Sequence, residues 1–269
     1  MAISPLLDCH LHTADFSCDS KETLQAYIAR ARELGLHTIC TTEHVDFDPQ
    51  DYCYGYYDYA RHQEQRARVR TQPVDGLNVL VGAEVEYQKQ FDAQVRAFLN
   101  GAEYDFVVGS VHFAQGKSIF DRTFYDAPEG ERCPAYLDEV LHAARSGLYD
   151  VIGHLDIVKR YGVRHYGPFD PARYTDVIDA ILRACVDTGT GIEINTSGWR
   201  GPPQEPFPTL PVLRRYRELG GEVLTVGSDA HAAGDLARHI PDALALARAA
   251  GFGAITVFVD RQPTWLPIA

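Results

Sequence analysis

The sequence predicts an α/β fold with a mainly parallel sheet, and three observations predict it. Short apolar runs rich in β-branched residues recur at Leu6–Cys9, His37–Thr42, Leu77–Val85, Phe106–Val111, Asp150–Gly153, Gly191–Ile194, Glu222–Val226 and Ala254–Val259. Segments with helical periodicity lie between most of them. The length, 269 residues, is ordinary for one α/β barrel and buries a core without disulfides or a structural metal. Alternation of strand and helix does not by itself separate a barrel from an open sheet.

The helices carry their own start and stop signals. Lys21–Leu34 follows Ser20, a good N-cap, and stops at Gly35. Pro134–Ser146, Pro171–Thr188 and Pro241–Ala250 each open on a proline and stop at Gly147, Gly189 and Gly251. Two longer loops stand out: Asp46–Tyr59, rich in Tyr and Asp, and Ser197–Pro208, rich in Pro and Gly. Strand–helix units continue on both sides of each, so residues 1–269 are expected to form a single domain.

Apolar content of 45% and charged content of 23% are those of a soluble globular domain. Asp8 and His10 interrupt the first apolar stretch, and no Lys/Arg-flanked apolar segment precedes it. A signal peptide is therefore not expected, nor is a membrane span. A cytoplasmic protein follows, with its six scattered cysteines, Cys9, Cys18, Cys40, Cys53, Cys133 and Cys185, as reduced thiols. The net charge of −12 argues against nucleic acid as a partner, although bound divalent cations offset some of it. An oligomer is compatible with the sequence.

The eleven histidines divide sharply. His37, His62, His142, His165 and His239 lie in helices, loops or at a strand start with no partner at ligand spacing, as surface or hydrogen-bonded histidines do. His10, His12, His44, His112, His154 and His231 fall at or just past strand C-terminal ends, the edge where α/β proteins build sites. Residues two apart on a strand point the same way, so His10 and His12 present two nitrogens to one metal. A lone HxH is a weak signal, but the pattern recurs at Thr42-Glu43-His44, Gly82-Ala83-Glu84, Gly109-Ser110-Val111-His112, Gly153-His154-Leu155-Asp156 and Gly227-Ser228-Asp229-Ala230-His231. Imidazole with carboxylate and no cysteine suits zinc, manganese or iron. The candidates exceed what one ion needs, so two or three divalent transition-metal ions are expected.

With these residues in place, the sequence resembles the histidinol-phosphate phosphatases of the PHP (polymerase and histidinol phosphatase) family. The matching motifs are DCHLHT, TTEHVDFD, GAEVEYQ, VVGSVHF, VIGHLDIVKRYG, EINTSGWR and VGSDAH, in order from Asp8 to His231. The resemblance implies a distorted (β/α)7 barrel of the PHP type and a trinuclear metal centre. It implies that His10, His12, Glu84 and Asp229 hold one ion. Glu84 would bridge to a second, held also by His112 and His154. His44 and His231 would hold a third, with one ligand from the segment after His12. That segment is one residue longer than the family pattern, and Asp19 is the choice there, with Cys18 and Asp15 as alternatives.

The implied activity is hydrolysis of a phosphate monoester, most of all L-histidinol phosphate in histidine biosynthesis, by a water activated between metals. Glu84, Asp229 and His231 are the expected catalytic residues, and the source of the leaving-group proton is open between Asp229 and a water. Arg160, Arg200 and Ser197 are candidates for the phosphoryl oxygens, set against ordinary surface ion pairs and turn chemistry. Glu43, Asp46, Asp48, Tyr54, Tyr56 and Tyr57 are candidates for the cationic leaving group, with simple packing on the barrel rim the equal alternative. Three other functions were weighed: a PHP phosphoesterase for another small phosphate ester or nucleotide, an amidohydrolase-type barrel, and a metal-storage protein. The amidohydrolase reading is disfavoured because no lysine falls at a strand end of the kind that class carboxylates.

Overall fold

The structure, a computed structural model, describes residues 6–268. The first residues, on which the expectation about a signal segment partly rests, lie outside it. In chain order come β1 (Leu7–Leu11), α1 (Leu24–Leu34), β2 (Thr38–Val45), α2 (Tyr59–Thr71), β3 (Asn78–Glu86), α3 (Asp92–Asn100) and β4 (Val107–Ser110). A small hairpin, β5 (Phe113–Ala114) and β6 (Lys117–Ser118), precedes α4 (Glu129–Ser146), β7 (Val151–Ile152), α5 (Lys159–Tyr166) and α6 (Thr175–Thr188). Then follow β8 (Gly191–Asn195), α7 (Leu210–Glu218), β9 (Leu224–Gly227), α8 (Ile240–Ala249), β10 (Ala254–Val259) and β11 (Gln262–Pro267).

Seven strands pair in the order β1-β2-β3-β4-β7-β8-β9, and every pairing is parallel. The two edges then meet. Asp229 N donates to His10 O at 2.8 Å and His12 N to Ala230 O at 2.9 Å, so the sheet nearly closes into the expected (β/α)7 barrel. These closing bonds join the two segments that carry His10, His12, Asp229 and His231.

The predicted strand Ala254–Val259 forms with its expected bounds but outside the barrel. It pairs antiparallel with β11 alone. Its turn is tied down by Arg261, whose N–H donates to Asp105 O at 2.9 Å and whose Nε donates to Asp150 at 2.9 Å. Asp105 and Asp150 lie two and one residues before β4 and β7, so this hairpin covers the N-terminal end of the barrel and leaves the C-terminal end for the site.

Several boundaries differ from expectation. Helix α1 begins at Leu24 with Thr23 as its cap, because the Ser20 hydroxyl is committed to His12 O at 2.6 Å. Helix α4 begins at Glu129 and carries Pro134 inside it; the carbonyl that proline frees belongs to Gly130, an exposed residue. Pro171–Tyr174 forms a separate 3-10 turn before α6. The reduced-thiol expectation fails at one pair: Cys18 and Cys53 form a disulfide, their Cα atoms 5.5 Å apart, while Cys9, Cys40, Cys133 and Cys185 are free and buried. The distance in sequence hid this pair, since the turns of the Tyr/Asp-rich loop bring Cys53 over the segment after His12.

Candidate metal centre

Parallel strands put their C-terminal ends on one rim, and six of the seven end in a candidate ligand or run directly into one. His10 and His12 leave β1 with their Nε2 atoms 3.1 Å apart. Glu84, from the buried end of β3, stands among five imidazoles. Its Oε2 lies 3.1 Å from His44 Nδ1, 3.5 Å from His12 Nε2 and 3.6 Å from His10 Nε2. Its Oε1 lies 2.7 Å from His154 Nε2 and 3.6 Å from His112 Nε2. Asp229 divides its oxygens in the same way. Oδ1 faces His12 at 3.4 Å and His231 Nδ1 at 3.5 Å, while Oδ2 accepts from Ser197 at 3.1 Å and Arg160 at 3.4 Å. Asp19 Oδ2 stands 3.1 Å from His231 Nε2 and 3.5 Å from His44 Nε2.

The backbone is bent to allow this. His154 and Asp229 both take positive φ, 25° and 55°, a conformation that costs a non-glycine residue on the order of 1–3 kcal/mol and that persists where surrounding structure enforces it. Gly227, just before the Ser228-Asp229 turn, has no room for a side chain: a Cβ there runs into His10 Cβ and the Glu193 carboxylate.

Charge is concentrated out of water. Burial opposes ionisation of Glu84 and Asp229, but the surrounding imidazoles outweigh it and hold both carboxyls well below the usual range. Burial pushes His12 and His112 down to about 3, so both rings are neutral with a lone pair to give. The donor set fits metal ions. Three triplets, His10/His12/Asp229, His10/Glu84/His154 and His12/His44/His231, each bring their ligand atoms within 4.8 Å of one another. Asp19 Oδ1 and His154 Nδ1 are buried without a hydrogen-bond partner. So many imidazole and carboxylate ligand atoms converging on one spot are what a cluster of divalent cations satisfies.

The site opens into a cavity of about 410 Å³, walled by these ligands and by Lys21, Asp46, Asp51, Tyr52, Phe120, Arg160 and Tyr161 among others. The PHP domain profile matches residues 8–197. The chain is 31% identical over 245 residues to the probable histidinol-phosphatase of Clostridium acetobutylicum, covering 90% of this chain and 92% of that one. The chain belongs to the PHP family. The histidinol-phosphatase of Lactococcus lactis subsp. lactis is also 31% identical, over 260 residues and 94% of each chain. The crystal structure of histidinol phosphate phosphatase from Lactococcus lactis subsp. lactis Il1403, solved with zinc, L-histidinol and phosphate, superposes with a TM-score of 0.86 at 28% identity, over 96% of this chain and 98% of that one.

Within this PHP barrel, the structure gathers His10, His12, Asp19, His44, Glu84, His112, His154, Asp229 and His231 into one cluster. It separates the three residues weighed after His12: Asp19 faces the cluster, Cys18 is bonded to Cys53, and Asp15 lines a different groove between α1 and α2. Arg160 is on the cavity wall, and its Nε is buried without a partner. Arg200 stands behind Asp229, its Nη2 donating to Ser228 O at 2.8 Å and Asp229 O at 3.2 Å, its Nη1 buried and unpaired. Ser197 stands beside Arg160. Its hydroxyl is enclosed by Arg160, Asn195 and Asp229 and is not on the cavity wall, because the turn after β8 points it at its neighbours.

Of the leaving-group candidates, Asp46 lines the cavity. Glu43 instead accepts from Thr13 and Ser17, Asp48 from Gln88, and Tyr57 pairs with His62 and Tyr104. Tyr54 and Tyr56 are exposed and off the cavity wall. Sequence reasoning missed Asp51 and Tyr52 on the wall, Asp8, which pins the Ser228 turn through Ser228 N at 2.8 Å, and Glu193, which holds His10 Nδ1 at 2.7 Å. Glu193 had one signal, a carboxylate in the middle of an apolar strand.

Proposed function

We propose that this chain hydrolyses L-histidinol phosphate to L-histidinol and phosphate, a step of histidine biosynthesis, at a centre of two or three divalent ions. The observation that carries the reading is the polarity of the cavity. Arg160 follows β7, whereas Asp46 and Asp51 follow β2. In the barrel order β2 and β7 stand on opposite walls. A phosphate at the arginine side and an ammonium or imidazolium at the carboxylate side is the charge pattern of a phosphorylated amino alcohol.

The nine clustered residues named above would hold zinc, manganese or iron, which when bound would supply Lewis acidity for the attacking water and for the developing charge on phosphorus. The protein's own groups do the rest. Arg160 offers its free Nε to a phosphoryl oxygen, and Arg200 offers the unpaired Nη1 beside Asp229. Asp229 is held by Ser197 and Arg160 at one oxygen, which aims the other at His10 and His12. Burial pushes Asp46 up to about 7, so an arriving cation would favour its ionised form and stabilise the pair. Phe120 and Tyr161, in edge contact at 6.2 Å, give an apolar wall for an imidazole ring.

The likeness to histidinol-phosphatases supports this choice within the PHP family. The chain is read as one PHP domain over residues 1–269, acting in the cytoplasm; among the described residues no helix is long and apolar enough to cross a membrane. Phosphate release from L-histidinol phosphate, glycerol phosphate and a nucleoside monophosphate, after zinc or manganese loading, tests it. Histidinol phosphate should lead in kcat/KM by tenfold or more. An uncharged ester hydrolysed as well or better would instead favour a PHP phosphoesterase of other specificity.

A further inference from the structure

Strand β8 carries three buried polar residues at alternate positions, Glu193, Asn195 and Ser197, the last just past the strand end. Alternation puts them on one face, the inside of the barrel. They touch in sequence: Asn195 Nδ2 lies 3.1 Å from Glu193 Oε2, and Ser197 Oγ lies 2.6 Å from Asn195 Oδ1. The lower end of this column meets a metal ligand, with His10 Nδ1 2.7 Å from Glu193 Oε1 and His154 N 3.1 Å from Oε2. The upper end meets the phosphate side, where Arg160 Nη2 donates to Ser197 Oγ.

The orientation of the Asn195 amide in this chain is dictated. An ionised carboxylate only accepts. Asn195 must therefore turn its NH2 to Glu193, which leaves its oxygen for Ser197. That oxygen also receives Ser197 N at 3.0 Å, a backbone donor that fixes the amide orientation independently. The Ser197 hydroxyl then accepts from Arg160 and turns its one proton between two acceptors, Asn195 Oδ1 at 2.6 Å and Asp229 Oδ2 at 3.1 Å. At the other end, Glu193 accepts from His10 Nδ1–H, which forces the Nε2 lone pair toward His12, Glu84 and Asp229.

We infer that Glu193, Asn195 and Ser197 are a positioning column that fixes the tautomer of His10 at one end and the orientation of Arg160 at the other, tying metal retention to phosphate binding. It rests on the metal centre proposed above and not on the identity of the substrate. The column gives the EINTSG motif a physical reason.

Glu193→Gln is the discriminating change. A glutamine is nearly the same size, but its NH2 must face one of three donors: His10 Nδ1–H, His154 N–H or the Asn195 amide. Facing His10, it moves the ring proton to Nε2 and removes the ligand. Facing Asn195, it reverses that amide against the Ser197 N–H. Zinc affinity, measured by competition with a chromophoric chelator, should fall 10–100-fold at one site, the range for lost support of a metal-binding histidine. Nitrogen-15 spectra of the zinc-loaded protein should show the His10 Nδ1–H signal lost or shifted. Glu193→Asp, which still only accepts, should recover part of the affinity. Ser197→Ala should keep its zinc but raise the inhibition constant of inorganic phosphate by about tenfold, read with p-nitrophenyl phosphate as the generic ester. Unchanged zinc affinity in Glu193→Gln overturns the inference whatever its activity, and so does Glu193→Asp performing no better than Gln. Unchanged phosphate inhibition in Ser197→Ala overturns it equally, and that arm stands if Glu193→Gln does not fold. Failure of histidinol phosphate as the preferred substrate touches none of these readouts.

Discussion

Glu84→Gln is the sharpest test of the metal centre. The two oxygens of Glu84 serve different partners: Oε2 faces His44, His12 and His10 within 3.6 Å, and Oε1 faces His154 and His112 within 3.6 Å. A carboxylate so placed would be shared between ions. Glutamine keeps the volume, but one oxygen becomes an NH2 that cannot ligate and that points protons at imidazole nitrogens. Support lost from a metal site lowers affinity or activity about 10–100-fold. As the proposed ligand of more than one ion, Glu84 should cost a hundredfold or more in turnover when replaced, about 2.7 kcal/mol at the least. Elemental analysis of the purified variant, with phosphate release measured across a zinc titration, reads both effects. At least one ion per chain should be lost, and excess zinc should not restore the rate fully. Retention of every ion with turnover within tenfold of the unmutated protein refutes the bridging role.

Asp19→Ala should lose one ion per chain, whereas Cys18→Ser should keep all of them; metal loss in Cys18→Ser alone would move the ligand by one position. The Cys18–Cys53 link spans 35 residues, so its loss in Cys18→Ser should lower unfolding free energy by roughly 4 kcal/mol on the chain-entropy account, and an unchanged denaturation midpoint counts against a bond in solution. Arg160→Ala and Arg200→Ala should both weaken inhibition by phosphate, Arg160→Ala the more because that side chain is on the cavity wall; phosphate binding unaffected in both would make them structural. Burial, and then the Arg66 charge, push His62 down to about 3, so between there and the unfolded value near 6.5 only the unfolded chain takes up this proton and stability falls as pH falls. Denaturation at pH 6.5 and at pH 5 should show the unmutated protein losing about 2 kcal/mol more than His62→Gln, and equal losses would place that proton elsewhere.

The sequence made legible whatever is periodic or local. Apolar runs that stop at a His or carboxylate located the barrel strands and the rim on which they end, because a strand buried on both faces reads as a near-continuous apolar run. Bounds shifted by a few residues where a cap changed, as at Thr23, and where a proline was carried inside a helix, as at Pro134. What long-range contact decides was hidden. β10 has the composition of a barrel strand, yet the barrel closes between β1 and the segment after β9, and β10 is left to pair with β11. The Cys18–Cys53 bond depends on the path of an irregular loop and has no spacing signature.

The same division runs through the site. Ligands stand at strand ends and can be counted there, but supporting residues are recognisable only through what they touch. Asp8 precedes two ligating histidines and looks like part of their motif; in the fold its carboxylate holds Ser228 and Ala237, and so fixes the turn that delivers Asp229 from the other edge of the barrel. Glu43 stands beside His44 and looks like a ligand or a substrate contact. Burial pushes it up to about 7, while bonds to Thr13 and Ser17 from the segment after His12 favour its charged form. Ser17 also lies 3.4 Å from His12 Nδ1 and accepts from His44 N at 3.1 Å. Asp8, Glu43 and Glu193 thus each brace an imidazole or a turn from behind, on three different strands. A cluster of neutral and charged ligands confined this closely would rearrange if its supports could rotate. The carboxylates behind the ligands are therefore as much a requirement of the centre as those within it.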